Sequence, residues 1–130
     1  MSRRSTEQRR AIRDVFDNTD RPLSTQEVLA IAQSVKRTIG IATVYRTLRL
    51  LIDEGALRTV ILPGQPPRYE RADKPHHHHF HCHVCDRVFE VPGCPEMLER
   101  LVPDGFGLEN HDLTLGGRCR ECMVRTAAVG

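Results

Sequence analysis

No run of apolar residues in this chain approaches the roughly 18 needed to cross a bilayer, so the sequence predicts no membrane span and no membrane partner. Nor is a secretory signal recognisable at the N-terminus, and five cysteines cannot all pair with one another. Both points argue against the disulfide framework of a secreted domain, and neither Cys-x-x-Cys pair follows the strand-to-helix context of a redox dithiol. A cytoplasmic protein is expected. Strong net charge is missing as well: +2 over 130 residues names no partner by itself. Length is also scarce. Apolar content of 39% supports a core, but two halves of about 60 residues would each be marginal without a metal clamp or a second copy.

What the chain does have is a concentration of metal ligands. Positions 76 to 85 read His-His-His-His-Phe-His-Cys-His-Val-Cys, six imidazoles and two thiols in ten residues. A histidine run at a chain end is a purification tag, but this one is internal and leads straight into Cys-x-x-Cys. The two-residue gap lets Cys82 and Cys85 reach one tetrahedral zinc from a tight turn, and Cys119 and Cys122 repeat the gap near the C-terminus. The 33 residues between Cys85 and Cys119 exceed the ~15 to 20 of the simplest zinc ribbons, so a small folded unit is expected between the pairs.

Charge becomes informative once the chain is divided. Up to Lys74 there are 14 basic and 9 acidic residues (+5), and beyond it 5 basic and 8 acidic (−3). A basic front half suits a polyanion such as DNA. Met1 to Ser5 read as a loose arm, and Ile12, Val15 and Phe16 place an amphipathic helix over Thr6 to Phe16. Ser24-Thr25-Gln26-Glu27 is a capping box, opening a second helix whose buried stripe is Val28, Ile31, Ala32 and Val35. A third helix runs from Ile41 to Asp53, with Val44, Leu48, Leu51 and Ile52 inward, Thr43, Arg46, Thr47 and Arg49 elsewhere, and Gly55 ending it. Leu57 to Leu62, a Pro-Gly-rich turn and Arg68-Tyr69-Glu70 then make a β-hairpin.

Three helices and a hairpin are a winged helix, whose third helix enters the major groove. Thr43, Arg46 and Arg49 have donors for guanine edges and phosphates, while Tyr45 either meets a thymine methyl or closes the core. The second half reads as a strand (His77 to Cys82), a strand (Arg87 to Val91), a short helix (Pro95 to Leu101) and a strand (Leu108 to Leu115). The fold class is therefore α+β, a winged helix-turn-helix followed by a small α/β unit with a zinc clamp. Residues 1–72 form the DNA-binding domain, 73–76 a hinge, and 77–130 a dimerisation and metal-binding domain.

Three segments carry a family resemblance: 39 to 48, 76 to 85, and 110 to 122. In order and separation they resemble the ferric uptake regulator family of bacterial metalloregulators. The resemblance implies a homodimeric, non-enzymatic repressor of metal-uptake genes that binds a double-stranded, AT-rich palindromic operator. It implies DNA contacts from Arg9, Thr43, Tyr45 and Arg46, and a structural zinc on Cys82, Cys85, Cys119 and Cys122. It also implies a regulatory zinc, iron or manganese on Glu70, His77, His79 and Glu90. Spacing supports the last set independently, since His77 and His79 share a strand face at about 7 Å.

A second metal site maps onto His76, His78 and His111, with Glu96 or Cys94 as the fourth ligand. Here the chain departs from the family: position 78 is usually aspartate in the iron regulators, and the region supplying a glutamate reads Gly93-Cys94-Pro95-Glu96-Met97. Glu96 capping a helix and Cys94 packing as a small apolar group are the bland alternatives. The helix histidine many members donate to the hinge site is replaced by Arg21-Pro22-Leu23, the cysteine of zinc regulators by Ala72, and the aspartate of peroxide sensors by Arg71. These changes count against peroxide sensing. The mixed N/O donors do not select a metal by affinity alone, although histidine for aspartate and a nearby thiol favour zinc. His81 and His83 fit no site of the pattern and are assigned surface or supporting roles. A metal buffer without DNA binding is the alternative from another class. A zinc hydrolase with Glu70 or Glu90 as base would need an open metal position and a pocket that so short a chain does not provide.

Overall fold

The computed structural model describes residues 3–129 and separates into two compact units, Met1–Lys74 and Pro75–Gly130. The first begins with helix α1 (Arg3–Asp17), which buries Ala11, Ile12, Val15 and Phe16. Arg3 to Ser5 thus continue the helix instead of forming an arm, while Met1 and Ser2 lie outside the described residues. Helix α2 (Thr25–Val35) opens with the predicted capping box: Glu27 N–H donates to Ser24 Oγ at 3.2 Å, and Ser24 N–H to Glu27 Oε1 at 3.1 Å.

The buried side of α2 is Thr25, Val28 and Ala32, spaced i, i+3, i+7. Ile31 and Val35 are 38% and 71% exposed, so they lie on the shoulder of the helix and not in its stripe. Helix α3 (Ile41–Asp53) has the expected bounds and buries Val44, Leu48 and Leu51, but Thr47 joins them at 2% exposure. Thr47 stands three residues after Val44 and four before Leu51, so helical geometry puts it on the inner face whatever its polarity. Gly55, at φ +79, turns the chain out of α3 in a left-handed conformation that favours glycine.

Strands β2 (Leu57–Val60) and β3 (Arg68–Arg71) form the wing. A third strand missed by the hydrophobic pattern, β1 (Leu23–Ser24), pairs with the outer side of β3, giving the order β1-β3-β2. Two residues are too few to show alternation. The helices and Leu23 and Leu57 share one apolar core, so this unit has what it needs to hold α3 rigidly.

The second unit is a sheet of order β5-β4-β6. β4 (His77–Cys82) lies between β5 (Val88–Pro92), antiparallel, and β6 (Thr114–Gly117), parallel. The last strand begins six residues later than the pattern predicts and runs two further, with Gly116 and Gly117 pairing with His81 and Cys82. A Cβ on Gly117 would stand 3.2 Å from Phe80 Cζ, so any side chain there would have to push the aromatic ring aside by a few tenths of an ångström. The expected helix Pro95 to Leu101 shrinks to a single 3-10 turn, Leu98–Leu101. Helix α4 (Arg120–Val129) was not anticipated, although Arg, Glu, Met and Ala are good helix formers. The buried cluster of this unit is Cys82, Cys119 and Cys122, with Phe80, Cys85 and Phe89 packed against it: its centre is made of sulfur.

Candidate metal centres and nucleic-acid interface

Strand alternation divides the ligands of β4 between two faces. His77 and His79 point to one, and His78, Phe80 and Cys82 to the other. On the second face, Cys82 and Cys85 leave a tight knuckle closed by a bond from Asp86 N–H to Cys82 O (2.9 Å). Asp86 sits at φ +63, a left-handed conformation that aspartate tolerates better than most residues. Cys119 immediately precedes α4 and Cys122 lies in its first turn. Met123 N–H donates to Cys119 O at 2.8 Å.

The four sulfurs of Cys82, Cys85, Cys119 and Cys122 lie within 4.8 Å of one another. Cys85 Sγ and Cys119 Sγ are 3.8 Å apart, and a tetrahedron with Zn–S bonds of ~2.3 Å has edges of about 3.8 Å. Burial pushes the Cys82 thiol up, but N–H groups of Cys85, Cys119 and Val84 outweigh it and hold the pKa at about 5. Cys85 is likewise opposed by burial but lowered by Arg87, whose Nε donates to its sulfur at 3.2 Å. Cys122 goes the other way, pushed up to about 12 by burial and by the neighbouring sulfurs. All four sulfurs can be anionic together only with a cation among them, so the donor set fits a zinc-type dication. Arg87 also pairs with Glu121 at 2.6 Å, tying the knuckle to α4. Sequence reasoning missed this arginine, which its place two residues after Cys85 could have flagged.

A second cluster holds His76, His78, Cys94 and His111, again with ligand atoms within 4.8 Å. Its contacts are His76 Nε2 to His78 Nε2 (3.2 Å) and to His111 Nε2 (3.1 Å), Cys94 Sγ to His111 Nε2 (2.8 Å) and to His78 Nε2 (3.4 Å). Burial, then the nearby His76 and His111, lower the pKa of His78 and favour the neutral imidazole a metal needs. Glu96, named for this set from the sequence, is exposed and is not a member. Gly93, at φ +84, reverses the chain directly after β5, so Cys94 returns to the sheet while Glu96 lies beyond Pro95 in the following turn.

On the opposite face of β4 the rings of His77 and His79 are 4.8 Å apart. His77 Nδ1 lies 2.7 Å from Pro75 O, which can only accept, so Nδ1 carries the proton and Nε2 the lone pair. Glu90 stands opposite His79 on β5, with Oε1 3.9 Å from His77 Nδ1. In the first unit Glu70 is buried and accepts from Arg58 Nε at 3.2 Å. Among the described residues His81 joins none of these clusters but meets Asp86 at 2.6 Å, and His83 is exposed.

In the first unit, Tyr45 is 54% exposed and therefore does not close the core. Arg46 is exposed beside it and donates to Thr43 Oγ1 at 3.2 Å. Arg9, half-buried, lines a cleft of about 260 Å³ with Arg10, Arg13, Thr47 and Glu54. Its Nε is buried without a hydrogen-bond partner among the described residues.

A winged helix followed in the same chain by an α/β unit rich in thiol and imidazole clusters is the build of a two-unit metalloregulator. The chain belongs to the ferric uptake regulator family, whose model matches residues 1–116. It is 35% identical over 129 residues to the ferric uptake regulation protein of Bordetella parapertussis, covering 95% of this chain and 91% of that one. With the zinc uptake regulation protein of Mycobacterium tuberculosis it shares 32% over 123 residues, 92% of this chain and 94% of the relative. With the ferric uptake regulation protein of Campylobacter upsaliensis it shares 36% over 91 residues, 68% of this chain and only 58% of the relative's length. Among solved structures, a zinc-bound manganese uptake regulator superposes with a TM-score of 0.79 at 31% identity, covering 87% of this chain and 88% of that one.

Proposed function

We propose that this protein is a metal-dependent transcriptional repressor of metal-uptake or homeostasis genes, not an enzyme, that binds an AT-rich palindromic operator as a homodimer. The observation that carries the reading is α3: its apolar side is locked into the core of the winged helix, and Thr43, Tyr45 and Arg46 stand on the side left open. Arg46 suits a guanine edge or a phosphate, Tyr45 a thymine methyl, and Arg9 with Arg10 and Arg13 the phosphate backbone. Dimerisation through residues 77–130 is supported by the exposed Met97, Leu101, Phe106, Leu115 and Val124, apolar side chains that a second copy would cover.

Cys82, Cys85, Cys119 and Cys122 are assigned a structural zinc. For the regulatory metal the family resemblance gives Glu70, His77, His79 and Glu90, ligands drawn from both sides of residues 73–76. Holding those ligands together restrains the hinge, and a restrained hinge gives the two recognition helices of the dimer a fixed spacing. Zinc is the favoured regulatory metal, then iron, then manganese. It is favoured because histidine in place of aspartate at position 78 and the nearby Cys94 thiol soften the donors around β4, and zinc and manganese regulators stand among the relatives alongside iron regulators.

The test is a fluorescence-anisotropy titration of the full chain against AT-rich palindromic duplexes, with Zn(II), Fe(II) or Mn(II) and after chelation. Metal-activated binding that weakens steeply with added salt is expected. Metal uptake without binding to any duplex would identify a buffer instead.

A further inference from the structure

We propose that Arg87 is a positioning residue for the four-cysteine centre: its guanidinium holds and covers the Cys85 sulfur, the corner of that centre open to solvent, and so sets how slowly the corner yields to outside reagents. The proposal rests on the structural zinc assigned above to Cys82, Cys85, Cys119 and Cys122, and its test tells a failure of that assignment from a failure of Arg87.

Cys82, Cys119 and Cys122 are buried, whereas Cys85 is half-buried. A chelator, an alkylating agent or a competing thiol therefore meets Cys85 first. Arg87 stands on that approach. Its Nε donates to Cys85 Sγ at 3.2 Å and its Nη2 to Glu121 Oε2 at 2.6 Å, so one planar fork reaches the knuckle and α4 together. The guanidinium carbon lies 5.6 Å from the centre of the Phe89 ring, in cation–π range. The Arg87 carbonyl accepts from Cys82 N–H at 3.0 Å, which fixes the backbone from which the fork springs.

Two effects follow. A cationic N–H donor draws charge off the sulfur, which makes the Cys85 thiolate a weaker nucleophile while leaving it a ligand. Cys85 and Cys119 belong to different pairs and their sulfurs are 3.8 Å apart, and Arg87 with Glu121 spans that same junction. When Cys85 lets go, the fork keeps its sulfur beside α4, so it returns instead of drifting away. Lysine, a point charge on a flexible stem, meets the sulfur or the carboxylate but does not hold both.

The experiment treats zinc-loaded, full-length protein with limiting iodoacetamide and reads each cysteine by peptide mass mapping, so that the exposed Cys94 is counted separately. Cys85 should be the first of the four to be modified in the parent. Arg87→Met should speed its modification by roughly 10- to 100-fold, the usual effect of removing a group that supports a metal ligand, and Arg87→Lys should recover part of the loss. Glu121 is exposed, so Glu121→Gln keeps the fold and, by freeing the far end of the fork, should speed Cys85 several-fold. A second readout is one that a merely structural arginine would not move. With Co(II) at the four cysteines in a Cys94→Ser background, the thiolate-to-cobalt band should move to lower energy in Arg87→Met and back towards the parent's in Arg87→Lys. The proposal is overturned if Cys82, Cys119 or Cys122 reacts ahead of Cys85 in the parent, or if the band stays where it was. It is equally overturned if Cys85 keeps the parent's rate in Arg87→Met or, should that variant not fold, in Glu121→Gln. A parent chain that takes up no Co(II) at its four cysteines removes the zinc assignment itself, and the proposal with it.

Discussion

Cys82→Ser should unfold the second unit and leave the first standing. Among the described residues of 75–130, the buried cluster is Cys82, Cys119 and Cys122, flanked by Phe80, Cys85 and Phe89, and Val88 is the one buried aliphatic side chain. A structural zinc in a small domain contributes about 10 to 16 kcal/mol to folding, so one thiolate in four is worth roughly 3 kcal/mol. Cys82 Sγ also accepts N–H groups from Cys119 at 3.3 Å and Cys85 at 3.5 Å, each worth about 1 kcal/mol. The loss, about 5 kcal/mol, equals or exceeds the ~3 to 5 kcal/mol that a core of this size supplies. The first unit has a separate apolar core and does not depend on these sulfurs. The assay is a heteronuclear correlation spectrum of labelled protein, before and after a strong chelator. Amides of Val44 and Leu48 should stay dispersed while those of Val88 and Phe89 collapse to random-coil positions. A variant that keeps Val88 and Phe89 dispersed after chelation would refute the claim that sulfur and its metal are the core.

Four further outcomes are expected. Leu48→Ala, at 2% exposure in the core of the winged helix, should lower stability by about 2 to 5 kcal/mol in denaturant titration. Ser24→Ala removes one half of the capping box and should cost about 1 kcal/mol in the same measurement. Arg46→Ala should leave the melting temperature unchanged and weaken operator binding by roughly 1 to 3 kcal/mol, checked by anisotropy. His79→Ala should keep fold and dimer but lose metal activation of DNA binding, and operator affinity equal to the parent's would remove His79 from the regulatory site.

Much of the first unit could be read from the sequence because its signals are local. A capping box, a glycine stop and apolar residues at helical spacing place the start of α2 and both ends of α3. The errors came from sorting by polarity where geometry rules. Thr47 is polar but stands on the inner face, and Ile31 and Val35 are apolar but stand off it. In the second unit the ligands announced themselves through spacing, whereas the connections between them did not. Gly116 and Gly117 look like a strand's end until the ring of Phe80 is seen lying over Gly117. Choosing between Cys94 and Glu96 needed the left-handed turn at Gly93, which composition does not encode. Helix α4 has little amphipathic pattern to detect, and its position follows from Cys119 and Cys122 needing a helical first turn.

The histidine run is buffered against slippage by being uniform. Counted back from Phe80, a tract shortened by one residue still offers rings at the places of His79, His78 and His77, each looking the way it did before, and brings Pro75 to the place of His76. The loss therefore falls on one cluster alone: the set of His76, His78, Cys94 and His111 gives up a donor, while the pair on the other side of the strand keeps both of its own.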